Sequence, residues 1–140
     1  MKPHLVLDTN VILDLLVFKD PSTKPIRLLL DAKLVDAVRS EASMLELIDV
    51  IQRPSFKLSE EQQQAILKSW ESSSRLLENT TIKPAPFTCR DQDDQVFINM
   101  AYSIRPAFLL SKDLRVLELQ AIAKRHGIEI SKQYDCLGAT

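Results

Sequence analysis

The chain has 140 residues, 45% of them hydrophobic and 26% charged, with 18 Lys and Arg against 19 Asp and Glu. That length suits one domain spanning residues 1–140 with a real core, and a formal net charge of −1 gives no global attraction to polyanions, so any nucleic-acid contact must rest on a local basic patch or a metal. Only Gly127 and Gly138 are glycine, which excludes a P-loop or a dinucleotide fingerprint. The isolated His4 and His126 offer no zinc spacing, and no apolar run approaches the length of a bilayer span. Met1-Lys2-Pro3-His4 carries no signal-peptide pattern, and Cys89 and Cys136 read as reduced structural thiols of a cytoplasmic protein.

Leu5 to Leu7 is a short continuous apolar strand, the pattern of a strand buried on both faces. Asp8-Thr9-Asn10 supplies capping side chains for a helix from Val11 to Phe18. Pro25 suits the first turn of a helix through Ala32, and Val35 to Val38 reads as a second strand. Ser40 caps a helix to about Gln52, ended by Arg53-Pro54. Ser59-Glu60-Glu61-Gln62 is a capping box opening a long helix to Glu78, with Ile66, Trp70 and Leu77 on one face as core or a dimer seam rather than a base-stacking platform. Thr80 to Lys83 reads as a third strand. Asp93-Asp94 caps a helix with Phe97, Ala101 and Ile104 at one-face spacing. Ala107 to Ser111 is a strand, Asp113 to Arg125 a helix, and Ile128 to Ile130 the fifth strand. His126-Gly127 after Lys124-Arg125 reads as a helix C-terminus with a glycine cap. Strands alternating with helices predict an α/β fold with a mostly parallel sheet.

Four acids, Asp8, Glu46, Asp94 and Asp113, sit where strands meet helices or within first helical turns. In an open parallel sheet the carboxyl ends of the strands share one edge, where such acids can converge. Capping is the rival account for Asp8, Asp94 and Asp113, and a solvated surface position is the rival for Glu46. Glu46, however, interrupts the apolar Met44, Leu45, Leu47 and Ile48 and lies over the small Ala42 and Ser43. Two carboxylates about 4 Å apart repel by roughly 4 kcal/mol at an effective dielectric of about 20, so a converged set must take up protons or a cation. An all-oxygen donor set favours Mg²⁺ or Mn²⁺, as one ion or two.

These residues resemble the motifs of the PIN domain superfamily of metal-dependent ribonucleases, in its toxin-like branch. Val6-Leu7-Asp8-Thr9-Asn10-Val11-Ile12-Leu13 is similar to the opening motif, with Asn10 as a supporting polar residue. Ser40 through Arg53-Pro54 resembles the segment that places the second acid at Glu46. Arg90-Asp91-Gln92-Asp93-Asp94 resembles the third motif, whose spacing selects Asp94. Leu110-Ser111-Lys112-Asp113 resembles the fourth, with Ser111 in the hydroxyl position. Lys112 departs from the residues frequent there. The resemblance implies a three-layer α/β/α fold with a central five-stranded sheet and Mg²⁺ or Mn²⁺ held by Asp8, Glu46, Asp94 and Asp113. It also implies endonucleolytic cleavage of RNA, a small neutralising antitoxin protein as partner, and a homodimer or higher oligomer.

Asn10, Ser43, Ser111 and Asp93 are read as hydrogen-bonding groups that fix the carboxylates. Arg90, Lys112 and Arg115 are the candidate phosphate contacts; each is also an ordinary surface cation, and Lys112 either engages the phosphate or points into solvent. Asp91 and Asp14 read as peripheral. The competing functions are a non-catalytic RNA- or protein-binding module of the same fold and a phosphatase or receiver-type domain, for which Lys112 is the one candidate lysine.

Overall fold

The computed structural model describes residues 2–137. Five strands, β1 (His4–Leu7), β2 (Asp36–Arg39), β3 (Arg75–Leu76), β4 (Ala107–Leu110) and β5 (Ile128–Ser131), form one sheet in the order β3-β2-β1-β4-β5. Every pairing is parallel, with Leu5 opposite both Ala37 and Phe108, and Leu110 opposite Leu7 and Ser131. Among the described residues seven α-helices connect them: α1 (Thr9–Leu16), α2 (Lys24–Asp31), α3 (Glu41–Ile51), α4 (Glu60–Ser73), α5 (Gln92–Ser103), α6 (Leu114–Leu117) and α7 (Gln120–Arg125). The α/β architecture with a central parallel sheet is the one expected.

The strands divide the core in two, because successive strand side chains face opposite ways. Leu5, Leu7 and Ala37 join Val11, Ile12, Leu47, Ile51, Ile66 and Trp70 from α1, α3 and α4. Val6, Val38 and Leu109 join Phe97, Ile98, Met100, Val116 and Ala123 from α5, α6 and α7. The sheet is therefore the middle of three layers. The chain leaves β1 toward β2 on one side and later returns to β4 on the other. The strand order thus reverses between β1 and β4, and the crevice beyond their carboxyl ends is where open α/β sheets bind ligands.

Local terminations depart from the sequence reading in four places. Helix α4 stops at Ser73 rather than Glu78. Ser72, Ser73 and Ser74 each turn a hydroxyl back to the carbonyl four residues earlier, a pattern that competes with helix propagation, and Arg39 takes the Glu71 carbonyl at 3.0 Å. The freed Arg75–Leu76 becomes the edge strand β3 beside Val38 and Arg39. The strand expected at Thr80 to Lys83 is instead a 3₁₀ turn over Asn79–Thr81, closed by the Thr81 hydroxyl on the Glu78 carbonyl at 2.7 Å. Helix α5 is capped by Asp91, whose side chain accepts from the Asp93 N–H, rather than by Asp93. The helix expected from Asp113 to Arg125 breaks at Glu118 and Leu119, where the Leu119 N–H closes onto Val116 in a tightened turn. Gly127, with φ of +81°, follows α7 in the left-handed region that a glycine enters without strain.

Candidate metal centre at the carboxyl edge of the sheet

Asp8 is the first residue beyond β1 and serves two purposes. Its Oδ1 accepts the Val11 N–H at 3.0 Å, capping α1. Its Oδ2 accepts a close hydrogen bond from the hydroxyl of Ser111, the first residue beyond β4. Asp8 is 2% exposed and Ser111 wholly buried. Burial pushes the Asp8 carboxyl up, the Ser111 and Val11 donors oppose it, and the charges of Asp113 and Asp14 raise it further. Parallel pairing of β1 with β4 is what brings these two residues, far apart in sequence, into contact.

Asp113, Asp94 and Asp91 form a tight group, with one carboxylate oxygen from each lying within 4.8 Å of the others. Asp113 is fixed by its own backbone, since its N–H donates to the Ser111 hydroxyl at 3.1 Å and its Oδ1 caps α6. Asp94 is pushed up to about 7, first by burial and then by the charges of Asp113 and Asp91. Glu46 approaches from α3; its carboxyl is raised by burial and by the charges of Asp93, Asp8 and Asp91, against a lowering by the Thr9 hydroxyl. Mutual repulsion thus links all four predicted acids into one electrostatic neighbourhood, although the tight triad includes only Asp94 and Asp113 of them.

Two oxygens at this edge, Glu46 Oε2 and Asp94 Oδ2, are buried without a hydrogen-bond partner. A buried carboxylate oxygen left unpaired carries the full desolvation cost. Two of them beside a like-charged group are what a hard divalent cation would relieve. The donor set is all oxygen, with neither imidazole nor thiolate in the triad, and so fits Mg²⁺ or Mn²⁺ rather than zinc.

The other predicted site residues fall in varied places. Asn10 is exposed on α1, and the cap on Val11 comes from Asp8. Ser43 is spent on the start of α3: its hydroxyl takes the Ser40 N–H at 2.8 Å and donates to the Ser40 carbonyl at 3.0 Å. It therefore anchors the helix that carries Glu46 rather than the carboxylate itself. Asp93 is exposed, with its charge acting on Glu46. Arg90 is held by Glu118 at 2.7 and 2.8 Å, and Arg115 lies 3.2 Å from Asp91. Lys112 is half exposed, and its ammonium pairs with Asp14. Asp91, read as peripheral, stands inside the triad. Its place three residues before Asp94 at a helix start was the available signal, since such a pair shares a face. The Cys89 thiol is 1% exposed and raised by burial, so it is an inert core group.

The sequence matches the family model described as PIN domain over residues 4–115. The chain belongs to the PIN domain family. The matched span contains β1, β2, β4 and every acid of the site, so in this PIN domain the carboxylate edge and the family assignment rest on the same residues. Among curated proteins none matches the chain. Six chains of solved structures match. One comes from the crystal structure of VapBC2 from Rickettsia felis bound to a DNA fragment from their promoter, at 18% identity and a TM-score of 0.59, covering 91% of this chain and 97% of that one. That likeness is one of fold.

Proposed function

We propose that this PIN domain is a metal-dependent endoribonuclease, the toxin of a toxin–antitoxin pair. The observation that carries the reading is the pair of orphaned, buried carboxylate oxygens on Glu46 and Asp94 at the switch point of a parallel sheet. Asp8, Glu46, Asp94 and Asp113 would hold the ion, with Asp91 as a fifth carboxylate in reach. When bound, Mg²⁺ or Mn²⁺ supplies Lewis acidity that offsets charge on phosphate oxygens and makes water a competent nucleophile at neutral pH.

The chain's own residues prepare that site. Ser111 donates to Asp8 and so favours its ionised form despite burial. Asp8 is fixed through both oxygens, one capping α1 and one accepting from Ser111, whereas Asp113 caps α6 through Oδ1 and leaves its other oxygen for a ligand. Arg115, beside Asp91, can turn from that exposed pair to a backbone phosphate. Against the phospho-acceptor alternative stands the pairing of its one candidate lysine, Lys112, with Asp14. The toxin role is supported by the family and by the VapBC2 fold neighbour, and it brings with it a small antitoxin partner and self-association.

The test is cleavage of single-stranded RNA by purified protein. Cleavage is expected with Mn²⁺ or Mg²⁺, should stop on chelation with EDTA, and should be abolished by Asp8→Asn or Asp94→Asn with the fold retained. Activity that survives chelation or either substitution refutes the proposal. Stoichiometric RNA binding without turnover would instead indicate a non-catalytic module.

A further inference from the structure

Lys112 lies between two residues of the acid edge, Ser111, which donates to Asp8, and Asp113, a member of the triad. A lysine between them is a candidate internal cation that would compete with a metal for the carboxylates. Its ammonium is instead drawn to Asp14 on α1, a carboxylate 9% exposed. The same Asp14 oxygen accepts a hydrogen bond of 2.8 Å from the hydroxyl of Tyr134, itself 7% exposed, in the segment after β5. The ammonium also lies 5.9 Å from the centroid of the Tyr134 ring. Asp14 is thus held on a rigid helix and pinned by a buried phenol. Of the sequence-predicted phosphate contacts, Lys112 is the one whose carboxylate partner is buried.

We infer that Asp14, oriented by Tyr134, is a positioning residue that draws Lys112 away from the acid edge and so keeps Asp113 and Asp94 open to a divalent cation. The inference rests on the metal-site reading above. Three segments meet in this one contact: α1, which Asp8 caps; the loop Ser111–Asp113; and the turn after β5. A purely structural staple between α1 and the terminal turn would use the same contacts, but any change in cation affinity on losing Asp14 would then be indifferent to removal of Lys112. The two roles therefore separate in a binding measurement.

Mn²⁺ is titrated calorimetrically into metal-free wild type, Asp14→Asn, and the double variant Asp14→Asn/Lys112→Met. Asp14→Asn frees the ammonium and is expected to weaken Mn²⁺ binding about tenfold, the scale seen when outer supporting groups of metal sites are lost. The double variant, having no ammonium to compete, should recover to within roughly threefold of wild type. Unchanged affinity in Asp14→Asn overturns the inference, as does a double variant as weak as the single one. If Asp14→Asn does not fold, Tyr134→Phe removes only the orienting hydrogen bond and should weaken binding roughly threefold, the scale of one modest hydrogen bond; unchanged affinity there overturns the inference equally. Failure of wild type to bind Mn²⁺ refutes the metal reading and this inference with it, whereas wild-type binding with indifferent variants refutes this inference alone.

Discussion

Replacing Asp94 by Asn should stabilise the metal-free protein at alkaline pH and do nothing for it in acid. In the folded chain the Asp94 carboxyl is pushed up to about 7 from an ordinary 3.8 by burial and by Asp113 and Asp91. The folded state therefore keeps a proton that the unfolded chain releases, and stability falls as pH rises from about 4 through about 7. Moving a carboxyl from 3.8 to about 7 corresponds to about 4 kcal/mol, and because Asp94 is only partly buried, solvent screening reduces this to about 1–2 kcal/mol. In a domain of this size that is a rise in Tm of roughly 3–6 °C at pH 8, shrinking to little near pH 4, where folded Asp94 is protonated and the unfolded carboxyl with its ordinary 3.8 is about half so. Thermal denaturation in EDTA across pH 4–8 measures it. Millimolar Mn²⁺ should then reverse the order, because ligand binding to the native state stabilises wild type by RT ln(1 + [L]/Kd) and the variant far less. Equal stabilities at pH 8 in EDTA would refute the account of the acid edge as a repulsive site awaiting a cation.

Ser111→Ala removes the donor to buried Asp8 and should cost about 1–3 kcal/mol in urea denaturation, with the loss shrinking at low pH as Asp8 takes up a proton. Trp70→Ala, which empties a side chain 2% exposed between α4 and the sheet, should cost about 3–5 kcal/mol in the same assay. Gly127→Ala meets nothing closer than 3.6 Å, so only the positive φ is penalised; a loss of about 1–2 kcal/mol is expected, and a neutral result would disprove the capping role given to this glycine.

The parts of the fold that were legible in the sequence are those dictated by burial over several residues. Leu5–Leu7 and Ala107–Leu110 are apolar without interruption because both faces of a central strand are covered, and their carboxyl ends fix where Asp8 and Ser111 must stand. What sequence reading missed turns on single side chains competing for backbone groups. Three consecutive serines end α4 early by bonding backwards, and no hydrophobic period announces that. The resulting β3 is only two residues long, with both side chains exposed, so it carries neither the apolar run nor the alternation by which a strand is recognised. The site divides in the same manner. Its anionic character followed from topology, since acids placed after strands in a parallel sheet share an edge whatever the details. Which carboxylates touch was decided one turn at a time: Asp91, by capping α5, moves the helix start two residues earlier than a cap at Asp93 would, and this sets Asp91 and Asp94 on one face toward Asp113. The destination of Lys112 depended on a partner twenty-two residues along, Tyr134, and on Asp14 nearly a hundred residues before it. No spacing rule relates those three positions. Only the closure of α1, β4 and the segment after β5 around one buried oxygen does so.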